Sequence, residues 1–120
     1  MRINPHILAF ALVASFASIN ASAAFFKTGY ELSREALAFD RVSEGSGSTL
    51  DYQPSALFQG YVQGVIDTLD GVIICPARNA KSGQVAAIVS KYLKANPEKW
   101  GDGGETIVVN ALRPVFPCNK

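Results

Sequence analysis

Histidine occurs once in the 120 residues, as His6, and cysteine only twice, as Cys75 and Cys118. Each scarcity removes a class of chemistry. Nucleophilic catalysis needs a nucleophile with a base beside it, and histidine is the commonest base. Two cysteines without histidine make a poor zinc site, and neither a calcium-loop spacing nor a phosphate-cradling glycine loop occurs. Charge of one sign is also missing: 11 Lys and Arg stand against 10 Asp and Glu. That balance gives no basic stripe for nucleic acid and no polybasic patch for an anionic membrane. Asp67 and Asp70, one turn apart, are the nearest approach to a carboxylate pair for acid/base work. They read instead as polar residues that end a helix. The expectation is a chain that is not an enzyme and has no catalytic residues, no metal and no cofactor.

What is present begins with a secretory pattern. Arg2 precedes an apolar run from Ile7 to Ile19, and Ala21-Ser22-Ala23 supplies a small-x-small cleavage signature. The run is shorter than the stretch of about 18 residues read as a membrane-spanning candidate. Residues 1–23 therefore read as a signal peptide and residues 24–120 as a single mature domain without a membrane anchor. His6 leaves with the signal, and losing Arg2 makes the mature charges balance. In an oxidising compartment Cys75 and Cys118 read as one structural disulfide, preferred over a metal site or a reactive thiol.

Along the mature part, helical signals recur. Thr28 with Glu31 has capping-box spacing, and Tyr30, Leu37 and Val42, with Ala36 and Ala38 beside Leu37, suggest an apolar face. Gly45-Ser46-Gly47-Ser48 ends this helix and reads as a flexible connector. Pro54 suits the first turn of a second helix, where Leu57, Phe58, Tyr61, Val62, Val65, Ile66 and Leu69 recur at helical spacing. This should be the most buried helix. Gly60 and Gly64 stack one turn apart, and two helix-interior glycines, each costing about 1 kcal/mol against alanine, call for a packing reason. Close approach of a neighbouring helix supplies one, and any exposed part of this glycine face is the place for a homodimer contact. Val72-Ile73-Ile74 has no partner strand and reads as an extended segment tucked against the core.

Ser82 is a candidate N-cap for a third helix, in which Val85, Ile88, Val89, Tyr92 and Leu93 form the clearest amphipathic pattern in the chain. Asn96-Pro97 stops it, and Trp100 beside glycines reads as a lid on the core or as a binding anchor. Asp102 with Glu105 repeats the cap spacing, and Ile107, Val108, Ala111, Leu112, Val115 and Phe116 give a fourth helix its apolar face. The fold class that follows is all-α, a small bundle of about four helices with one disulfide.

With the helices laid out, the order of motifs resembles the Rap/Tai family, periplasmic immunity proteins against peptidoglycan amidases delivered by type VI secretion. The matching elements are Gly60-Tyr61-Val62-Gln63-Gly64-Val65, Cys75-Pro76, Val89 with Lys91-Tyr92-Leu93, Asn96-Pro97-Glu98 and Phe116-Pro117-Cys118. The resemblance implies a small helical protein that binds a cognate amidase in the periplasm and blocks its cleft. Shape rather than chemistry does that work, in keeping with the missing catalytic groups. The expected contact surface lies on two loops, with Arg78, Asn79 and Lys81 on the first and Glu98, Trp100 and Asp102 on the second, both flanking the bridge. The alternatives are a periplasmic acid-stress chaperone of the HdeA type, which would loosen at low pH, and an immunity fold without a toxin partner.

Overall fold

The computed structural model describes residues 26–119; the expected signal peptide lies outside the described residues. Four α-helices follow one another: α1 (Gly29–Ser43), α2 (Tyr52–Leu69), α3 (Ser82–Ala95) and α4 (Gly104–Leu112), with a short 3₁₀ turn at Pro97–Lys99. The all-α expectation holds, and so does the bridge: Cys75 and Cys118 are disulfide-bonded, with their Cα atoms 5.0 Å apart. It ties the segment after α2 to the segment after α4, and the Cys75 N–H donates to the Phe116 carbonyl at 2.9 Å alongside it.

α1 starts as its sequence dictates. Thr28 Oγ1 accepts the Glu31 N–H at 3.3 Å, and the Glu31 carboxylate accepts the Thr28 N–H at 2.9 Å. Two donors that a helix start leaves open are thereby satisfied. The inward face agrees only in part with the expected one: Ala36 and Ala38 are buried as expected. Leu32, Ala36 and Phe39 are buried, whereas Tyr30 and Leu37 are 61% and 47% exposed. Leu32, Ala36 and Phe39 follow an i, i+4, i+7 rhythm of their own, and the small Ala36 lets the neighbouring helices approach. Phe39 meets Phe58 of α2 in a tilted ring pair with centroids 5.4 Å apart.

The connector after α1 is held rather than loose. Asp51 accepts hydrogen bonds from the Ser48 N–H at 2.9 Å and the Ser48 hydroxyl at 3.0 Å, and its other oxygen accepts from Arg41. Arg41 and the Ser48 bonds hold the Asp51 carboxyl well below the usual carboxylate range. A carboxyl whose pKa is lower in the folded state stabilises the fold above its unfolded value of about 3.9, and that contribution fades as pH falls through the folded value. Asp51→Asn should therefore destabilise the domain near neutral pH, and the gap from the parent should shrink only below about pH 4. Urea titrations at several pH values read this directly. A gap that stays constant down to strongly acid pH would show that the Asp51 charge contributes nothing.

α2 is not the most buried helix. Phe58 and Val62 are its buried apolar residues, whereas Leu57 is 52% exposed. Gly60 and Gly64 face open space: apart from their chain neighbours and the backbone of α2 itself, nothing lies within 4 Å of where a Cβ would stand. The packing expected of them is absent. The chain then turns at Gly71, whose φ of 74° suits glycine. The next residues fold into a turn rather than an extended segment, with the Val72 and Ile73 N–H groups donating to the Leu69 carbonyl. Ile74 alone enters the core, and Val72 stays exposed.

α3 begins one residue from the expected place, with Lys81 at the N-cap and its N–H donating to Gln84 Oε1 at 3.3 Å. Its expected face is largely correct: Val85, Val89 and Leu93 are buried, joined by Ala86 and Ser90. α4 differs at both ends. Asp102 does not cap it; Gly103 is the N-cap and has no side chain to offer. Backbone contacts do the work instead. Gly29 N–H donates to the Asp102 carbonyl at 2.9 Å and Gly104 N–H to the Lys27 carbonyl at 2.8 Å, lacing the starts of α1 and α4 together. At the far end α4 stops at Leu112. Pro114 has no N–H to continue the ladder, so Val115, expected on the buried face, is exposed.

Candidate functional site

The two loops singled out by their charge do not come together. Arg78, Asn79 and Lys81 lie between α2 and α3, and Glu98, Trp100 and Asp102 between α3 and α4. The 14 residues of α3 separate them, a span of about 21 Å at the helical rise per residue. Only the first loop adjoins the bridge, since Cys118 follows the opposite end of α4 from the second. Arg78, Asn79, Lys81 and Glu98 are exposed. Trp100 is bound into the fold: its indole N–H donates to the Leu93 carbonyl at 2.9 Å, and Tyr30 meets its ring edge-on at 6.0 Å. Asp102 contributes its carbonyl to the α1–α4 lacing. Trp100 and Asp102 thus serve the fold first.

Beside the first loop, α2 and the segment from Pro76 to Ser82 enclose a groove of about 150 Å³. Buried Val62 and Val85 and half-buried Ile66 provide its apolar lining. Pro76, Ala77, Ala80 and Ser82 form the wall away from α2, so the small residues of the loop line the groove and Arg78, Asn79 and Lys81 do not. The α2 wall is polar, made of Gln59, Gln63 and Asp67. These stand at i, i+4 and i+8, one above another on a single helix face. Gly60 and Gly64 alternate with them along the helix and add no side chain at its open flank. Sequence reasoning missed this row, although three polar residues at four-residue spacing within an apolar helix were there to be read.

Electrostatics separates this face from the opposite one. Each ion pair among the described residues has one member on α1: Lys27 with Glu35, Arg41 with Asp51, and Lys94 with Asp40. Asp67 and Asp70 therefore end α2 without an ionic partner among those residues, and the last turn of α2 holds no basic residue. A helix C-terminus carries partial negative charge of its own. Asp67 is the one charged residue among those that line the groove, and Arg78 and Lys81 stand on the loop that forms the other wall.

Elsewhere one polar cluster is partnered within the fold. Ser90 Oγ donates to both Asp40 oxygens, at 2.8 and 2.9 Å, and Lys94 Nζ lies 3.0 Å from the same carboxylate. Ser90 is 1% exposed and lines, with Asp40 and Lys94, a cavity of about 230 Å³; the cluster ties α3 to α1. Among the described residues no three His, Cys, Asp or Glu side chains gather as metal ligands. No described helix is long and apolar enough to cross a membrane.

The family model of the Rap1a immunity proteins matches the chain over residues 28–118. The chain belongs to that family. The matched span opens on the capping Thr28 and closes on Cys118, so the α1 cap, the groove and the bridge all lie inside the Rap1a domain. No curated protein matches the chain. An immunity protein acts on a protein partner, and a groove with polar and apolar walls on an exposed helix is a surface suited to one.

Proposed function

We propose that this Rap1a protein is a periplasmic immunity protein that binds a peptidoglycan amidase effector delivered by type VI secretion and inhibits it by covering its cleft. Membership of the family carries this reading. The disulfide supports it from another side, because a bridge of this kind persists in oxidising compartments such as the periplasm, and the N-terminal pattern of Arg2, an apolar run and Ala21-Ser22-Ala23 suits export there. Inhibition by docking needs complementarity and a rigid surface rather than reactive groups.

The test is protection. A type VI amidase from the same bacterium, exported to the periplasm of a susceptible host, should lyse the cells, and the full chain expressed beside it should preserve them. The chain without residues 1–23, kept in the cytoplasm, should give no protection. Lysis that proceeds unchanged in the presence of the full, exported chain, together with undiminished hydrolysis of purified peptidoglycan, would sink the reading.

A further inference from the structure

We propose that the groove between α2 and the Pro76–Ser82 segment receives an extended stretch of the effector, with a lysine or arginine of that stretch over Asp67. The inference rests on the immunity reading and names the surface that performs it.

The spacing argues for an extended chain. Gln59, Gln63 and Asp67 rise along α2 by about 6 Å per step, close to the roughly 6.6 Å that two residues of a strand span. Each carboxamide offers both a donor and an acceptor, the complement of a peptide unit, and successive peptide units facing the same way fall at that repeat. Gln63 is exposed and Gln59 half-buried, so both can be reached. Gly60 and Gly64 leave the flank of this row bare, with nothing but their chain neighbours and the backbone of α2 within 4 Å of either absent Cβ, and a backbone can approach where a side chain would stand it off. No packing inside the domain accounts for these two glycines. At about 150 Å³ the groove takes one apolar side chain against Val62 and Val85; a docking helix would need a longer trough for its successive anchors. Charge sets the direction. Asp67 is the one charged residue lining the groove and stands near the negative end of α2, whose last turn has no basic residue, which suits a cation on the incoming chain.

The experiment is calorimetric titration of the purified amidase with the bridged protein and three variants: Gln59→Ala/Gln63→Ala, Asp67→Lys and Gly64→Leu. Each should bind about tenfold more weakly or worse, as expected for the loss of one or two hydrogen bonds or a charge pair. Gly64→Leu should melt no lower than the parent, because leucine favours a helix over glycine and its side chain enters open space. Weakened binding with an unchanged or raised melting temperature supports the groove. Parent-like affinity in all three variants overturns the groove and leaves the immunity reading standing. An amidase that does not bind the parent protein overturns both.

Discussion

Replacing Cys75 and Cys118 together by serine should lower the free energy of unfolding by about 4 kcal/mol. The two are 43 residues apart in the chain, and a closed loop of that size removes a corresponding amount of entropy from the unfolded ensemble. For a domain of this size, with a stability of order 5–15 kcal/mol, such a loss is a large fraction of the whole. Reductant should have the same effect on the parent, and the urea midpoint of the serine variant should not respond to it. The native contacts near the bridge are expected to survive at low denaturant, because Ile74 remains buried one residue away and the Cys75 N–H keeps its bond to the Phe116 carbonyl. The predicted change is thus in stability rather than in fold. A loss below about 1 kcal/mol would mean that the unfolded chain is already compact around this loop and that the entropic argument does not apply. A protein so weakened would also be exposed to periplasmic proteolysis, so protection against the amidase should fall with abundance before affinity changes.

Much of this architecture was legible because its signals are local. The Thr28–Glu31 capping box and the stop at Asn96-Pro97 depend only on residues within a turn of one another, and the structure contains both a capped α1 and an α3 that ends at Ala95. The Val85, Val89, Leu93 pattern was readable because a single side of α3 is apolar. α1 was legible only in part, with Ala36 and Ala38 inward as expected but Tyr30 and Leu37 not, because it carries apolar residues on two sides and α2 and α3 decide which side turns inward. The groove was missed for a related reason. Gln59, Gln63 and Asp67 matter only through their position opposite Pro76 to Ser82, and that juxtaposition depends on the turn at Gly71 and on the bridge. Arg78 and Lys81 drew attention by their charge. The small residues around them, Pro76, Ala77, Ala80 and Ser82, are the ones that shape the surface.

Glycine was the least legible residue type, and it gives the second large prediction. Gly60 and Gly64 carried a packing signal in their spacing, yet both face open space. Gly29 carried no signal, yet nothing larger fits there. A Cβ at position 29 would lie 2.7 Å from both the Cα and the carbonyl oxygen of Trp100 and 2.4 Å from Cδ1 of Ile107. The isoleucine methyl can move aside, but the Trp100 backbone is fixed. It follows Pro97–Lys99, its indole is bonded to Leu93, and two residues later the Asp102 carbonyl accepts the Gly29 N–H itself. Gly29→Ala must therefore part the starts of α1 and α4 or bend the turn between α3 and α4, and a loss of about 3 kcal/mol is expected, the upper part of the overpacking range. In a domain of this size that corresponds to a fall in melting temperature of roughly 12–24 °C. Gly64→Ala should move the other way, by about 1 kcal/mol, since it replaces a poor helix former with the best one in open space. The same substitution thus carries opposite signs at two glycines of one domain. Equal melting temperatures for the two variants would mean that the junction at Trp100 yields freely, and the laced start of α1 and α4 would then not be the rigid point of the fold.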